Sequence, residues 1–137
     1  MTTTDRQPTD EVPTDDLGRL TELFVLAFNA GDQDTIERMY SPDAVSVWKP
    51  GEPPLAGDAR RANVAEFLAM GLPMRARTKG TYVNGDTALV IVDWEISGTS
   101  TTGEEVHLSG TGTDVLRRGR DGRWRYIIDN AYGGSAA

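Results

Sequence analysis

The 137-residue sequence contains no cysteine and only one histidine, His107. Without cysteine there is no disulfide framework, no thiolate zinc site and no cysteine nucleophile. Zinc and non-haem iron centres draw two or three nitrogen or sulfur ligands, so no metal and no cofactor is expected here. No run approaches the roughly 18 apolar residues that span a bilayer, and the N-terminus lacks the apolar core of a signal peptide. The expectation is a cytoplasmic protein with no membrane partner. Positive charge is in the minority, 14 Lys and Arg against 21 Asp and Glu, for a formal −7. Nucleic acids and anionic surfaces attract clustered positive charge, so neither is expected as a partner. One local exception, "RRGRDGRWR" (117–125), reads either as a patch for an anion or as a hairpin with solvated flanks. Its central Asp121-Gly122 favours the hairpin.

Familiar chemical motifs are missing as well. "GTGTD" (110–114) contains G-x-G but lies inside a strand pattern rather than at a strand-to-helix turn, so no dinucleotide site follows. There is no phosphate loop and no G-x-S-x-G elbow.

What remains is a single domain with its own core. Residues 1–14, rich in Thr, Asp and Pro, read as a disordered arm, 15–132 as the folded domain and 133–137 as a flexible tail. Leu17, Leu20, Phe24, Ala27 and Phe28 recur at helical spacing, with Gly31 placed to end that helix and Asp32 to cap a second one carrying Ile36, Met39 and Tyr40. "SPD" (41–43) breaks the second helix, "AVSVW" (44–48) alternates as a short strand, and Asp58 can cap a third helix marked by Val64, Phe67 and Leu68. From residue 74 the period becomes two, giving strands over 74–83, 86–97, 105–118 and 123–130 with a hairpin at Asn84-Gly85. Three helices followed by a meander of long antiparallel strands is an α+β plan with the helices on one face of a sheet.

"FNAGDQDTIERMYSPDAVSV…PGEPPLAG", "NGDTALVIVDWEISG" and "GTGTDVLRRGRDGRWRYIIDNAYG" together resemble the nuclear-transport-factor-2-like superfamily, and within it SnoaL-like polyketide cyclases and ketosteroid-isomerase-like proteins. The resemblance covers residues 17 to about 132. It implies a cystatin-like cone: a curved antiparallel sheet with the three helices on its concave face around an apolar pocket, commonly paired as a homodimer through the outer face. The scaffold hosts isomerases, cyclases, dehydratases and non-catalytic proteins, so it does not choose a reaction.

Strand alternation assigns faces. A buried Trp124 puts Tyr126, Ile128 and Asn130 inward and Asp129 outward, and Ala88, Val90, Val92, Trp94 and Ile96 form an apolar inner set. On the strand 105–118 neither set is cleanly apolar; the family register makes His107, Ser109, Thr111, Thr113 and Val115 the inner one. Placing the sequence on the ketosteroid isomerase pattern puts Phe24 at the oxyanion tyrosine, Trp48 at the base and Thr113, or alternatively Asp114, at the second donor. Phe and Trp transfer no protons, so that mechanism does not carry over. The limonene-epoxide-hydrolase pattern fails too, because Ile91 stands where an arginine would precede Asp93.

By elimination His107 is the expected acid/base, since imidazole titrates near neutrality. Tyr40 and Asn130 would stabilise an enolate, and Trp48, Trp94, Phe24, Thr113, Ser109 and Tyr126 would touch substrate. Asp114 and Asp129 are the alternative acid/base groups if the strand faces are shifted by one. The expected function is a cofactor-independent cyclase, isomerase or dehydratase acting on a hydrophobic, oxygenated small molecule such as a polyketide. The alternative is a non-catalytic ligand-binding or dimerisation module.

Overall fold

The computed structural model describes residues 8–135. After a 3-10 turn at Leu17–Arg19, whose N-cap Asp16 accepts from the Gly18 N–H at 2.9 Å, helix α1 runs over Leu20–Asn29 and buries Leu20, Leu23, Ala27 and Phe28. Gly31 turns the chain at φ 67°, a conformation that favours glycine, and Asp32 then caps α2 (Gln33–Arg38) by accepting from the Thr35 N–H. Helix α3 spans Gly57–Ala69, with Ala56 at its cap position and Asp58 inside the first turn rather than capping it.

Six strands, β1 (Tyr40–Val47), β2 (Leu55–Ala56), β3 (Met74–Asn84), β4 (Thr87–Thr99), β5 (Glu105–Arg118) and β6 (Trp124–Asn130), form one open sheet in the order β2-β1-β6-β5-β4-β3. The β1–β6 pair is parallel and the other pairs are antiparallel. Tyr40 opens β1 instead of closing the second helix, and the expected breaker Ser41-Pro42-Asp43 runs inside the strand. The register shifts between Tyr40 and Val45, which accommodates a proline that donates no ladder hydrogen bond. At the β3–β4 hairpin Asn84 pairs with Thr87, so the two loop residues are Gly85 and Asp86.

The strand faces depart from the expectation in two places. On β4 the inner set is as expected, with Ala88, Val90, Val92, Trp94 and Ile96 all buried. On β5 the inner set is Leu108, Gly110, Gly112, Asp114 and Leu116, opposite Ile96, Trp94, Val92, Val90 and Ala88 in turn. The set containing His107, Ser109, Thr111, Thr113 and Val115 therefore lies on the outer face. Cross-strand partners share a face, and the loop after Thr99 pairs it with Glu105, so even-numbered residues meet even-numbered ones. Glycine made the true inner face look empty. A Cβ at Gly110 would lie 2.8 Å from the Tyr132 ring, so the missing side chain leaves room for that aromatic.

On β6, Tyr126 pairs with Leu116 and Ile128 with Val115, leaving Ile127 as an extra residue in a β-bulge. The bulge reverses the alternation beyond it. Trp124 and Tyr126 face inward as expected, but Ile128 and Asn130 then face outward and Asp129 faces inward.

The ends of the chain also differ from the expected arm and tail. Residues 1–7 and 136–137 lie outside the described residues. Residues 8–14, however, pack on the domain: Val12 and Thr14 are buried, and the Trp124 N–H donates to the Thr14 carbonyl at 2.7 Å. At the other end the Gly134 N–H donates to the Thr111 carbonyl at 2.9 Å. Among the described residues no helix is long and apolar enough to cross a membrane.

The core lies between the helices and the inner sheet face, with Leu23, Ile36, Ile96 and Leu116 fully buried. Leu116→Ala is expected to cost about 2–5 kcal/mol, seen as a lower urea midpoint at unchanged slope.

Candidate active site

A narrow cavity of about 70 Å³ opens between α1, α3 and the inner sheet face. Its walls are apolar and rich in aromatic rings. Trp48 stacks on Phe67 with centroids 4.2 Å apart and meets Trp94 edge-on at 5.7 Å; Phe24 meets Tyr126 edge-on at 6.0 Å. Trp94 is fixed by its Nε1–H, which donates to the Ala131 carbonyl at 2.7 Å. Polar side chains interrupt this lining at Thr21, Tyr40, Tyr126, Asp114 and Asp129, and three of them, Asp114, Asp129 and Tyr40, are clustered.

These three form one hydrogen-bonded group. Asp114 and Asp129 are direct partners across β5 and β6. The two carboxyls are hydrogen-bonded to one another, and Asp129 Oδ2 also accepts from the Tyr40 hydroxyl at 2.5 Å. The Asn130 backbone N–H adds a bond to Asp114 Oδ1 at 3.3 Å. Burial holds the Asp114 carboxyl well above the usual carboxylate range, and the neighbouring Asp129 charge pushes it further. Burial raises Asp129 as well, but the hydrogen bonds from Tyr40 and Asp114 and the charge of Arg60 pull the other way. Two buried carboxyls facing one another repel when both are ionised, so both are pushed upward. Burial, then the Asp129 charge, lifts the Tyr40 hydroxyl far above its ordinary value, so it stays a donor. Tyr126 is raised by burial and by the Asp114 and Asp129 charges.

The structure divides the expected site residues into two groups. Phe24, Tyr40, Trp48, Trp94 and Tyr126 line the cavity, together with the alternative pair Asp114 and Asp129. His107 is exposed on the outer face of β5, and Ser109 and Thr113 share that face. Asn130 pairs with Thr113 on the same outer side, and only its backbone N–H reaches the site. His107→Ala is therefore expected to leave both thermal stability and any proton-transfer rate near those of the parent protein, in parallel melting and turnover measurements. Arg60 was missed in the sequence. It is a buried arginine whose guanidinium sits 4.2 Å from the Tyr40 ring centroid. Its signal was an arginine on the helical stripe of Val64 and Phe67, four and seven residues on.

Family comparison agrees with this architecture. The SnoaL-like domain family matches residues 21–127. The chain belongs to the SnoaL-like domain family. Solved structures similar to this SnoaL-like domain include a conserved protein from Planctomyces limnophilus DSM 3776, with TM-score 0.75 and 17% identity over 90% of this chain and 95% of the other. A proposed dehydratase of the nuclear-transport-factor-2-like family from Streptomyces avermitilis aligns with TM-score 0.70 and 25% identity over 95% and 100%. A ketosteroid isomerase-like protein from Erwinia carotovora atroseptica SCRI1043 aligns with TM-score 0.66 and 23% identity over 83% and 90%. No curated protein matches this chain by sequence.

Proposed function

We propose that the protein is a cofactor-independent acid–base enzyme that acts on a compact, hydrophobic, oxygenated small molecule, of polyketide or related secondary-metabolite type. The observation that carries this reading is the buried pair of facing carboxyls, Asp114 and Asp129, at the wall of the cavity, with the Tyr40 hydroxyl donating to Asp129. Two carboxyl groups whose surroundings push their titrations apart supply an acid and a base in one place. In the proposed cycle Asp129 takes a proton from a carbon next to a carbonyl, and Asp114 hands its proton to the carbonyl oxygen as the enol forms. Return of the protons at other positions, or loss of a β-hydroxyl as water, would give isomerisation or dehydration. The flat walls of Trp48, Trp94 and Phe67 suit a ring system. A water needs about 10–15 Å³ of such space, so the cavity suits a small ligand rather than an extended chain.

The test is solvent deuterium uptake into a panel of cyclic ketones with acidic α-hydrogens, read by mass spectrometry, because it registers proton transfer whatever the net reaction. Uptake that depends on Asp114 and Asp129 supports the enzyme. Ligand binding with no uptake across the panel overturns it in favour of a binding module.

A second copy of the chain is the proposed partner for the outer sheet face. Tyr82, Leu89, Val115, Ile128 and Val45 stand opposite one another in a row across five strands, and Tyr82, Leu89 and Ile128 are exposed. Such an apolar row on an otherwise polar face favours association. Light scattering is expected to give the dimer mass, and Leu89→Arg with Ile128→Arg the monomer mass.

A further inference from the structure

Asp114 and Asp129 face one another directly, which raises the question of what makes them unequal. Against the Tyr40 ring lies a buried ion pair that no part of the proposed cycle uses. Arg60, on α3, is 3% exposed, and its Nη2 donates to Glu37 Oε1 on α2. That contact uses one terminal nitrogen; Arg60 Nη1 and Glu37 Oε2 make no hydrogen bond among the described residues. The guanidinium covers the Tyr40 ring at 4.2 Å, and the same ring meets Tyr126 with centroids 5.1 Å apart. The Tyr40 ring thus touches both a cation and an aromatic, and its hydroxyl reaches Asp129.

Resting on the acid–base reading above, we propose that Arg60 is a positioning residue for the acid pair: it seats the Tyr40 ring and places a buried positive charge on the Asp129 side of the pair. Burying a cation is expensive unless it is paired, and Glu37 compensates only part of this one, so its field reaches the neighbouring ring and carboxylate. The groups facing Asp129 are Tyr40 from β1, Asp114 from β5, Tyr126 on β6 itself and Arg60 from α3, with Glu37 on α2 behind the arginine. Arg60 is the one cation in that set. Asp114 gains no comparable cation; it interacts with the Asp129 charge, the Tyr126 and Tyr40 hydroxyls and one backbone N–H. The asymmetry assigns the roles, with Asp129 as the ionised base and Asp114 as the acid.

The test uses protein labelled with ¹³C at aspartate side-chain carboxyls, with Asp129→Asn to assign the signal. Arg60→Met combined with Glu37→Leu removes the ion pair without leaving a buried charge alone, and Arg60→Lys keeps the charge but loses the flat stack. In the double variant the Asp129 titration is expected to move upward, with the acid limb of the pH–rate profile moving the same way at unchanged KM. In Arg60→Lys the titration is expected to stay near that of the parent, while maximal deuterium uptake falls by about tenfold, a change of about one pKa unit in equivalent free energy. A folded double variant whose Asp129 titration has not moved overturns the proposal, even if activity drops. Should the double variant fail to fold, an Arg60→Lys protein with the parental rate and pH profile overturns it. Absence of deuterium uptake in the parent protein would sink the acid–base reading instead, and the carboxyl titration would still report on Arg60.

Discussion

Asp129→Asn is expected to slow deuterium uptake by about 10²–10⁴-fold, the usual range for loss of a positioned acid–base group. Asparagine matches the carboxylate in size and its carbonyl oxygen can still accept from the Tyr40 hydroxyl, so the fold and the cavity walls persist. What disappears is the capacity to take a proton. The effect should therefore fall on the maximal rate and leave KM in place, the signature of an interaction made in the transition state. Thermal melting of the same preparation separates this from misfolding. A variant that keeps parental uptake would move the base away from the β5–β6 pair altogether. Tyr40→Phe removes one hydrogen bond to Asp129 and not the base itself, so its loss of rate should be the smaller of the two.

Asp114→Asn should divide stability from activity in the opposite sense. The Asp114 carboxyl is raised well above 3.8 in the folded protein by burial and by Asp129. Between the unfolded value and the folded one, the native state holds a proton that the unfolded chain has released. Stability therefore falls as pH rises through that window, by up to about 1.4 kcal/mol per pH unit for one group, and above it the native state carries two facing charges. Asparagine stays neutral, its amide can donate to Asp129, and its oxygen can accept from the Asn130 N–H. The expected result is a higher Tm for the variant at pH 8, by about 5 °C for a gain of roughly 1–2 kcal/mol. The gain should vanish below about pH 4, where Asp114 of the parent is protonated in both the folded and the unfolded state. Deuterium uptake should collapse over the whole range, because the proton donor is gone. Melting curves at several pH values check the sign: a variant less stable than the parent at pH 8 would mean that the buried carboxyl is not a liability there. A functional group held at a cost to the fold is common at catalytic sites.

The contrast between what was and was not legible follows from how far each signal reaches along the chain. Helix α1 and strands β3 to β6 appear in the pattern because periodicity and turn residues are local: Gly31, Asp32 and Gly85 act within a few positions of themselves. The inner face of β4 was legible for the same reason, since its five inward residues are all apolar. The second and third helices were located, but the cap of α3 and the start of β1 were displaced. Tyr40 to Val47 becomes a strand because β6, some eighty residues later, pairs with it.

For the site, seven lining residues are named from the sequence, Asp114 and Asp129 among them as the alternative acid/base pair, yet the favoured acid/base, His107, lies on the other side of β5. His107 attracted the role by being the sole histidine, whereas the carboxylates are ordinary-looking residues in two strands. The cross-strand register was in principle within reach, because an apolar even-numbered face on β4 implies an even-numbered face on β5 across a five-residue loop. The bulge at Ile127 was not, since nothing in "RYIIDN" announces which residue is unpaired.

Composition and periodicity alone determined an α+β domain, the lengths of strands β3 to β6 to within two residues, the positions of the turns between them and the aromatic character of the interior, because these depend on neighbours in sequence. Only tertiary structure decided that Asp114 and Asp129 meet, that Tyr40 reaches Asp129 and that Arg60 stands against Tyr40. Those contacts join α3, β1, β5 and β6, and their chemistry comes from burial and proximity, which residues distant in sequence acquire only when the sheet and helices close on one another.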